Sequence, residues 1–294
     1  MRALLLSCLL ALVPTPVRAC PCQSGDPVLT APPARPAGPP LLVRVLVEGR
    51  LALDAYGVPG IDRADVTELR LESTLVVSPI DRLSVSLLVP LAHREVVRAN
   101  LSRETVFGLA DPELRARFTV LRGHAGGRHE LDVVAGVDLP VAPEARRPGG
   151  DAISMEAMIA SGSADPLLGL AYRFVGDPVG VALALTWRLP TPGHQAMTMG
   201  PSLDGALVVS GAVLPVLLLR GALEARWELP AQMPEGPMPN TGGGLVRAGG
   251  DVLVRALPEL AIGAGVRGPV LDGMLGERDP GLTASVLVAG EVAR

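Results

Sequence analysis

Lysine is missing altogether from these 294 residues: the 26 basic side chains are all arginine, set against 30 acidic ones for a formal net charge of −4. A chain with pI about 5.6 carries no basic footprint, which excludes nucleic acid as a partner. The glycine-rich Gly242-Gly243-Gly244 and Gly249-Gly250 are followed by no Lys-Ser/Thr pair, so neither is a phosphate loop. The three cysteines are Cys8, Cys20 and Cys22, all near the start, and no long-range disulfide can form. Four histidines, His93, His124, His129 and His194, fall in or beside loops without carboxylates at ligand spacing, so no metal site is expected. Ser84 and Ser86 alternate near His93, but no motif with triad mechanics is present, which argues against an enzyme and calls for no cofactor. Aromatic residues make up only 2%. A transmembrane helix is missing as well: the best stretch, Ala206 to Leu219, is shorter than the ~20 residues required and contains Pro215.

What the chain has in quantity is apolar surface, 48% hydrophobic residues with a mean hydropathy of +0.38. Its start directs export. Arg2, the apolar run Ala3 to Val13 and the small residues of Val17-Arg18-Ala19 make residues 1–19 a signal peptide. Cys20 then opens the mature chain, with three readings: lipid attachment at Cys20, a soft metal held by Cys20 and Cys22, or a tail carrying no site. Residues 20–41, rich in Cys and Pro, read as an extended linker.

From residue 42 the pattern is alternation. Val43, Val45, Val47, Gly49, Leu51 and Leu53 oppose Arg44, Glu48, Arg50 and Asp54, and Leu69, Leu71 and Leu75 oppose Glu68, Arg70 and Glu72. The pattern returns in Leu114 to Val120 and in Leu217 to Leu229. A period of two means a strand with one apolar and one polar face. These strands exceed the usual ~5–6 residues and match the ~9–11 of a tilted membrane-crossing strand.

Proline marks strand ends at Val89-Pro90, Leu139-Pro140, Leu189-Pro190, Leu229-Pro230 and Gly268-Pro269, because it cannot donate to a ladder. A polar loop follows each: Leu91 to Ala110, Val141 to Ala164, Thr191 to Gly200, Ala231 to Val246 and Val270 to Asp279. Tight connections lie between them, at Ser78 to Asp81, Gly123 to Gly127, Gly176 to Pro178, Pro215 and Pro258. Long outer loops alternating with short periplasmic turns mark an all-β, transmembrane, antiparallel up-and-down barrel of about 12 strands over residues 42–294. Its setting is the outer membrane and its lipid. The competing fold is a secreted β-sandwich acting as a binding protein. On the barrel reading, Val141 to Ala164 is an outer surface loop open to protease.

The second strand face supplies the candidate site. Arg115, Arg117, Arg173, Arg188, Arg220, Arg226 and Arg267 alternate with Glu48, Glu68, Glu72, Glu113, Glu224 and Glu228, and they would line the lumen. A pore lining and a set of interior salt bridges fit this list equally. Asp111 and Asp165 each precede a proline at a loop-to-strand junction, where Asp either organises a turn or holds a loop cation.

Three short stretches resemble a family of Gram-negative outer-membrane barrels, the transporters related to the MetA-pathway phenol-degradation protein. Gly108-Leu109-Ala110-Asp111 is similar to that family's Gly-x-Gly-Asp, and Ser161-Gly162-Ser163-Ala164-Asp165 to its Gly-Thr-Gly-Ser-x-x-Asp. Cys20-Pro21-Cys22 is similar to the Cys-x-Cys start of some members. Ala110 in place of Gly, the scarcity of aromatics and the terminal Arg294 depart from the pattern. The resemblance implies passive passage of small, often hydrophobic molecules and supplies no catalytic residue. It names no solute and leaves the oligomeric state open, and a barrel with a purely structural role remains the alternative.

Overall fold

A computed structural model describes residues 42–57, 61–123, 128–147, 149–176, 179–214, 216–238, 241–257, 260–275 and 279–293. The expected signal peptide, the linker with Cys20 and Cys22, His124 and the turn residues 177–178, 215 and 258 lie outside them. The strands in chain order are β1 (Leu42–Tyr56), β2 (Ala64–Ile80), β3 (Leu83–Arg98), β4 (Arg103–Leu109), β5 (Glu113–Gly123), β6 (Arg128–Asp138), β7 (Asp165–Val175) and β8 (Val179–Arg188). They continue with β9 (Ser202–Leu214), β10 (Leu217–Glu228), β11 (Gln232–Met233), β12 (Gly236–Pro237), β13 (Gly243–Leu257), β14 (Leu260–Met274) and β15 (Asp279–Ala293). Helical structure among the described residues is limited to the 3₁₀ turns Met155–Ala157 and His194–Ala196.

All strands but β4, β11 and β12 form a closed antiparallel barrel of twelve, each paired with its neighbour in sequence. Closure comes from β1 lying against β15 from Leu42↔Ala293 to Ala55↔Asp279. This rules out the β-sandwich. Closure has a physical cause: an open edge in hydrocarbon leaves backbone groups unpaired at several kcal/mol each.

The alternation sorts side chains as its period requires. On β8, Leu183, Leu185, Trp187 and the following Leu189 are exposed while Ala184, Thr186 and Arg188 are buried. The outward set runs from Val179 to Leu189, about 33 Å at ~3.3 Å per residue. Tilted by ~45°, this run covers about 23 Å, close to the ~25 Å apolar band of a membrane barrel. Four of the seven aromatics sit at two levels. Trp187 and Trp227 are exposed on the outer surface, both opposite Leu203 near the end carrying the long connections. Tyr172 and Phe174 lie near the short-turn end against His129, whose Nδ1 is 2.7 Å from the Tyr172 hydroxyl. Amphipathic rings at two heights are what the two lipid–water interfaces favour.

Three of the five Pro-marked ends stop a strand. Leu139, Leu189 and Leu229 donate their N–H groups to the carbonyls of Pro112, Pro166 and Pro201 across each hairpin, at 2.7, 2.9 and 3.0 Å. The other two prolines lie within strands. Pro90 is fully buried inside β3, where the partner changes from β5 (Leu83 to Leu88) to β4 (Leu91 to Val97), and its carbonyl accepts from Ala110 at that exchange. The N–H that proline lacks would face the gap between two partner strands, so no ladder bond is lost. Pro269 sits at a register shift between β13 and β14, another place where an unpaired position is tolerated. The polar stretch 91–110 is therefore largely the β3–β4 hairpin, and part of 270–279 extends β14 and opens β15.

Cysteines at Val47 and Val288, which face each other across β1 and β15, test closure in a chain lacking Cys20 and Cys22. Opposed residues have Cβ atoms ~4.5–5.5 Å apart, so oxidation of the folded protein should cross-link residues 47 and 288. No cross-link at this or any neighbouring register would contradict a closed barrel.

Candidate functional site in the barrel lumen

Inward-facing side chains divide the lumen into two kinds of wall. On β1, β2, β3 and β5 it is charged. Arg50 pairs with Glu48 at 2.9 Å and with Glu72 at 3.1 Å, and Arg70 with Glu68 at 3.1 Å. Arg115 reaches Glu113 at 2.7 Å, which also takes Arg188 from β8 at 3.1 Å. Many partners are two residues apart on one strand, as a period of two places them on one face. Part-way along β6 to β10 the charges are interrupted by an apolar patch of Val134, Leu167, Ala171, Ala184, Val208 and Ala222. Polar pairing resumes toward β13 to β15: Asp251 takes Arg220 and Arg267 at 3.2 Å each, and Arg267 reaches Glu224 at 2.9 Å. A small cavity of about 10 Å³ opens among Glu48, Arg220, Asp251, Arg267 and Ser285.

The lining residues read from alternation fall on this inner face. Glu48, Glu68, Glu72, Arg115, Arg188, Arg220 and Arg226 are buried, while Arg117, Arg173 and Glu224 are half-buried. Arg226 pairs with Glu228 at 2.9 Å and Asp204 at 3.3 Å. Buried ions are costly to desolvate, and neighbouring opposite charges offset that cost. Alternation did not single out Arg94, which is 1% exposed and donates from Nε to Glu68 at 2.7 Å. It lies beyond Pro90, in the stretch that reads as loop. The parity of Ser86, Leu88 and Ala92, carried through the proline, would have placed it inward.

Arg94 also anchors the segment that occupies the outer half of the lumen. Residues 141–164 do not stand on the surface throughout: Ile153, Ala157, Met158, Ile159 and Ala160 are buried. Ile153, Ala157 and Met158 pack on Ala64, Val66 and Val96 of the barrel wall. Arg94 Nη1 donates to the carbonyls of Met158 and, at 3.3 Å, Glu156, while Arg70 Nη2 reaches the Ile159 carbonyl at 3.5 Å. Gln195 Nε2 donates to the Ile153 carbonyl at 3.2 Å. The segment turns inward because these carbonyls find guanidinium and amide donors there, and its apolar side chains find an apolar wall.

A clamp at the rim holds the two ends of this segment. Asp111 Oδ2 accepts from Ser161 N at 2.8 Å, Ser161 Oγ at 2.9 Å and Gly162 N at 2.9 Å. Asp165 Oδ1 accepts from Thr191 N at 3.0 Å. His194 donates from its backbone N to the Ser161 carbonyl at 2.8 Å and from Nε2 to the Ala142 carbonyl at 3.1 Å. Gly162 has a φ of +64°, and a Cβ there would collide with the His194 ring; only glycine meets both demands. Both aspartates thus organise the loops, and no group of three or more His, Cys, Asp or Glu is placed to hold a metal among the described residues. Ser86 faces the lumen, whereas His93 is exposed on the opposite face of β3 against Phe107. Strand parity keeps the two apart.

A second clamp lies outside the membrane-spanning part, at the β3–β4 hairpin. Glu104 accepts from Ser154 Oγ at 2.6 Å, Arg98 at 2.7 Å and Arg147 Nε at 2.7 Å. Burial by itself would raise its pKa, but these hydrogen bonds and the Arg98 charge hold it down to about 2.

Fold and lumen together define a membrane-spanning β-barrel of the outer-membrane class. No family model matches the chain, and no curated protein matches it in sequence. Among solved structures it is similar to the COG4313 outer membrane channel from Pseudomonas putida F1, with a TM-score of 0.64 and 16% identity over 88% of this chain and 97% of that one. The β domain of the Bordetella autotransporter BrkA aligns at 0.47 with 11% identity, over 87% of this chain and 100% of that one. The NanC porin aligns at 0.46 with 6% identity, over 86% and 99%. At 16% identity, the likeness to the COG4313 channel shows the fold alone.

Two outcomes follow from the clamps. Asp111→Ala removes three hydrogen bonds to a carboxylate, each worth roughly 1.5–3 kcal/mol. It should expose 153–163 to protease in a barrel whose strand content by circular dichroism is unchanged; continued protection would show that the clamp is dispensable. Because the folded pKa of Glu104 is depressed, its contribution is complete above the unfolded value of 4.5 and is lost as pH falls toward about 2. Pepsin access to residues 144–156 should therefore rise as pH falls from 4.5 to 2. Glu104→Gln should make access high and flat across that window.

Proposed function

We propose that this protein is a passive channel for small solutes in the outer membrane, and that it performs no catalysis. The observation that carries this reading is a closed barrel whose charged lumen is interrupted by an alanine- and valine-rich patch and narrowed from outside by an inward-folded segment. A purely structural barrel has no need of such a segment. It is costly to order, and here two lumen arginines hold it. A passage with one polar and one apolar side suits compact molecules with an apolar body and a polar end. The resemblance to the phenol-degradation group of transporters, carried by Asp111 and by Ser161 to Asp165, points the same way. Arg115, Arg117, Arg173, Arg188, Arg220, Arg226, Glu48, Glu68, Glu72 and Glu224 are its proposed lumen lining.

Replacing Met155 to Ala160 by a Gly-Ser linker tests the reading in planar bilayers. The parent chain should give small, discrete conductance steps, and the replacement should enlarge them several-fold, because the segment occupies the passage. Liposome swelling with uncharged solutes of graded size should show the matching shift in cut-off. A correctly folded replacement that conducts no more than the parent, with neither giving any step, would overturn the channel reading.

A further inference from the structure

Arginines gather near the end of the lumen that carries the short turns. Three arginines surround Glu130 of β6: Arg128 at 2.6 Å, Arg173 of β7 at 2.6 Å and Arg122 of β5 at 3.1 Å. Two residues along on the same face lies Asp132, fully buried, with Arg117 of β5 at 3.2 Å and Arg173 at 3.8 Å. Four guanidiniums, those of Arg117, Arg122, Arg128 and Arg173, therefore share Glu130, Asp132 and the exposed Asp81, which lies 3.9 Å from Arg122. Arg117 Nη1 and Arg173 Nε are buried donors, and both Asp132 oxygens buried acceptors, without a hydrogen-bond partner.

Burying like charges together is unfavourable unless a counter-charge joins them. The guanidinium fork matches a carboxylate in a planar, two-point geometry. Directly beside the cluster, Ala171 pairs with Asp132 and Ala182 with Arg173, and both alanines belong to the apolar wall. We propose that Arg117 and Arg173 form a binding site for a small monocarboxylate, its charged end on the guanidiniums and its apolar body against Ala171, Ala182 and Ala184. This rests on the channel reading for its physiological meaning, since the site would hold a solute at the inner end of the passage.

Benzoate is a suitable probe, with benzyl alcohol as its uncharged counterpart, in titration calorimetry on the full mature chain in detergent. Benzoate should bind saturably and benzyl alcohol at least tenfold more weakly. Arg117→Gln with Arg173→Gln should weaken benzoate at least tenfold. Arg117→Lys, which keeps the charge but loses the fork, should fall between, and it decides the matter if the double variant does not fold. Equal binding of benzoate by the parent and the folded variants, or none by the parent, would overturn the site. Acetate competing as well as benzoate would overturn the role of the alanine wall. Calorimetry needs no flux, so binding without conductance would count against the channel alone, and conductance without binding against the site alone.

Discussion

Every feature of this protein follows from the cost of leaving a backbone N–H or C=O unpaired where no water can reach it. That constraint forces β1 onto β15 and makes the chain a cylinder rather than a sheet. It also fixes which residues can follow one another. With a period of two, one set of side chains must suit hydrocarbon and the other must suit an enclosed interior. The apolar excess of the composition is the outer set; the charges are the inner one. Even the prolines conform, because Pro90 and Pro269 occupy positions where the ladder is already interrupted.

The interior solves a second problem. Ionised groups facing the lumen must be hydrated or paired, and an Arg–Glu lattice achieves pairing with partners two residues apart on one strand or directly across from it. Arginine suits this better than lysine, since one guanidinium can serve two carboxylates: Arg50 does so between Glu48 and Glu72, and Arg188 between Glu113 and Asp138. Where the charges give way to Val134, Ala171 and Ala184, the wall becomes apolar. The lumen is thus an uneven surface, charged over most of its wall and apolar over part of it.

Strand alternation made most of the barrel readable from the chain, and the inner face of β1, β2, β5 and β10 with it. Two things were hidden, each for a physical reason. Proline is a reliable terminator only in a strand with two continuous partners, so the outer half of β3, with Arg94 in it, read as loop. The inward course of 152–163 depends on donors from β2, β3 and the 189–201 connection, and no local pattern reveals contacts between segments so far apart. Polarity and glycine there indicate a loop but not its direction. The link between Asp111 and Ser161 is of the same kind: both stretches stand out in the chain, but nothing in either shows that a single carboxylate joins them.

The inward segment is gripped by its main chain. Arg94, Arg70 and Gln195 take hold of the carbonyls of Glu156, Met158, Ile159 and Ile153, groups that every amino acid possesses. Its side chains are therefore freer to change than its path. Evolution, or an engineer, can exchange residues between the anchors and reshape the mouth, while the barrel that carries the insert stays as it is.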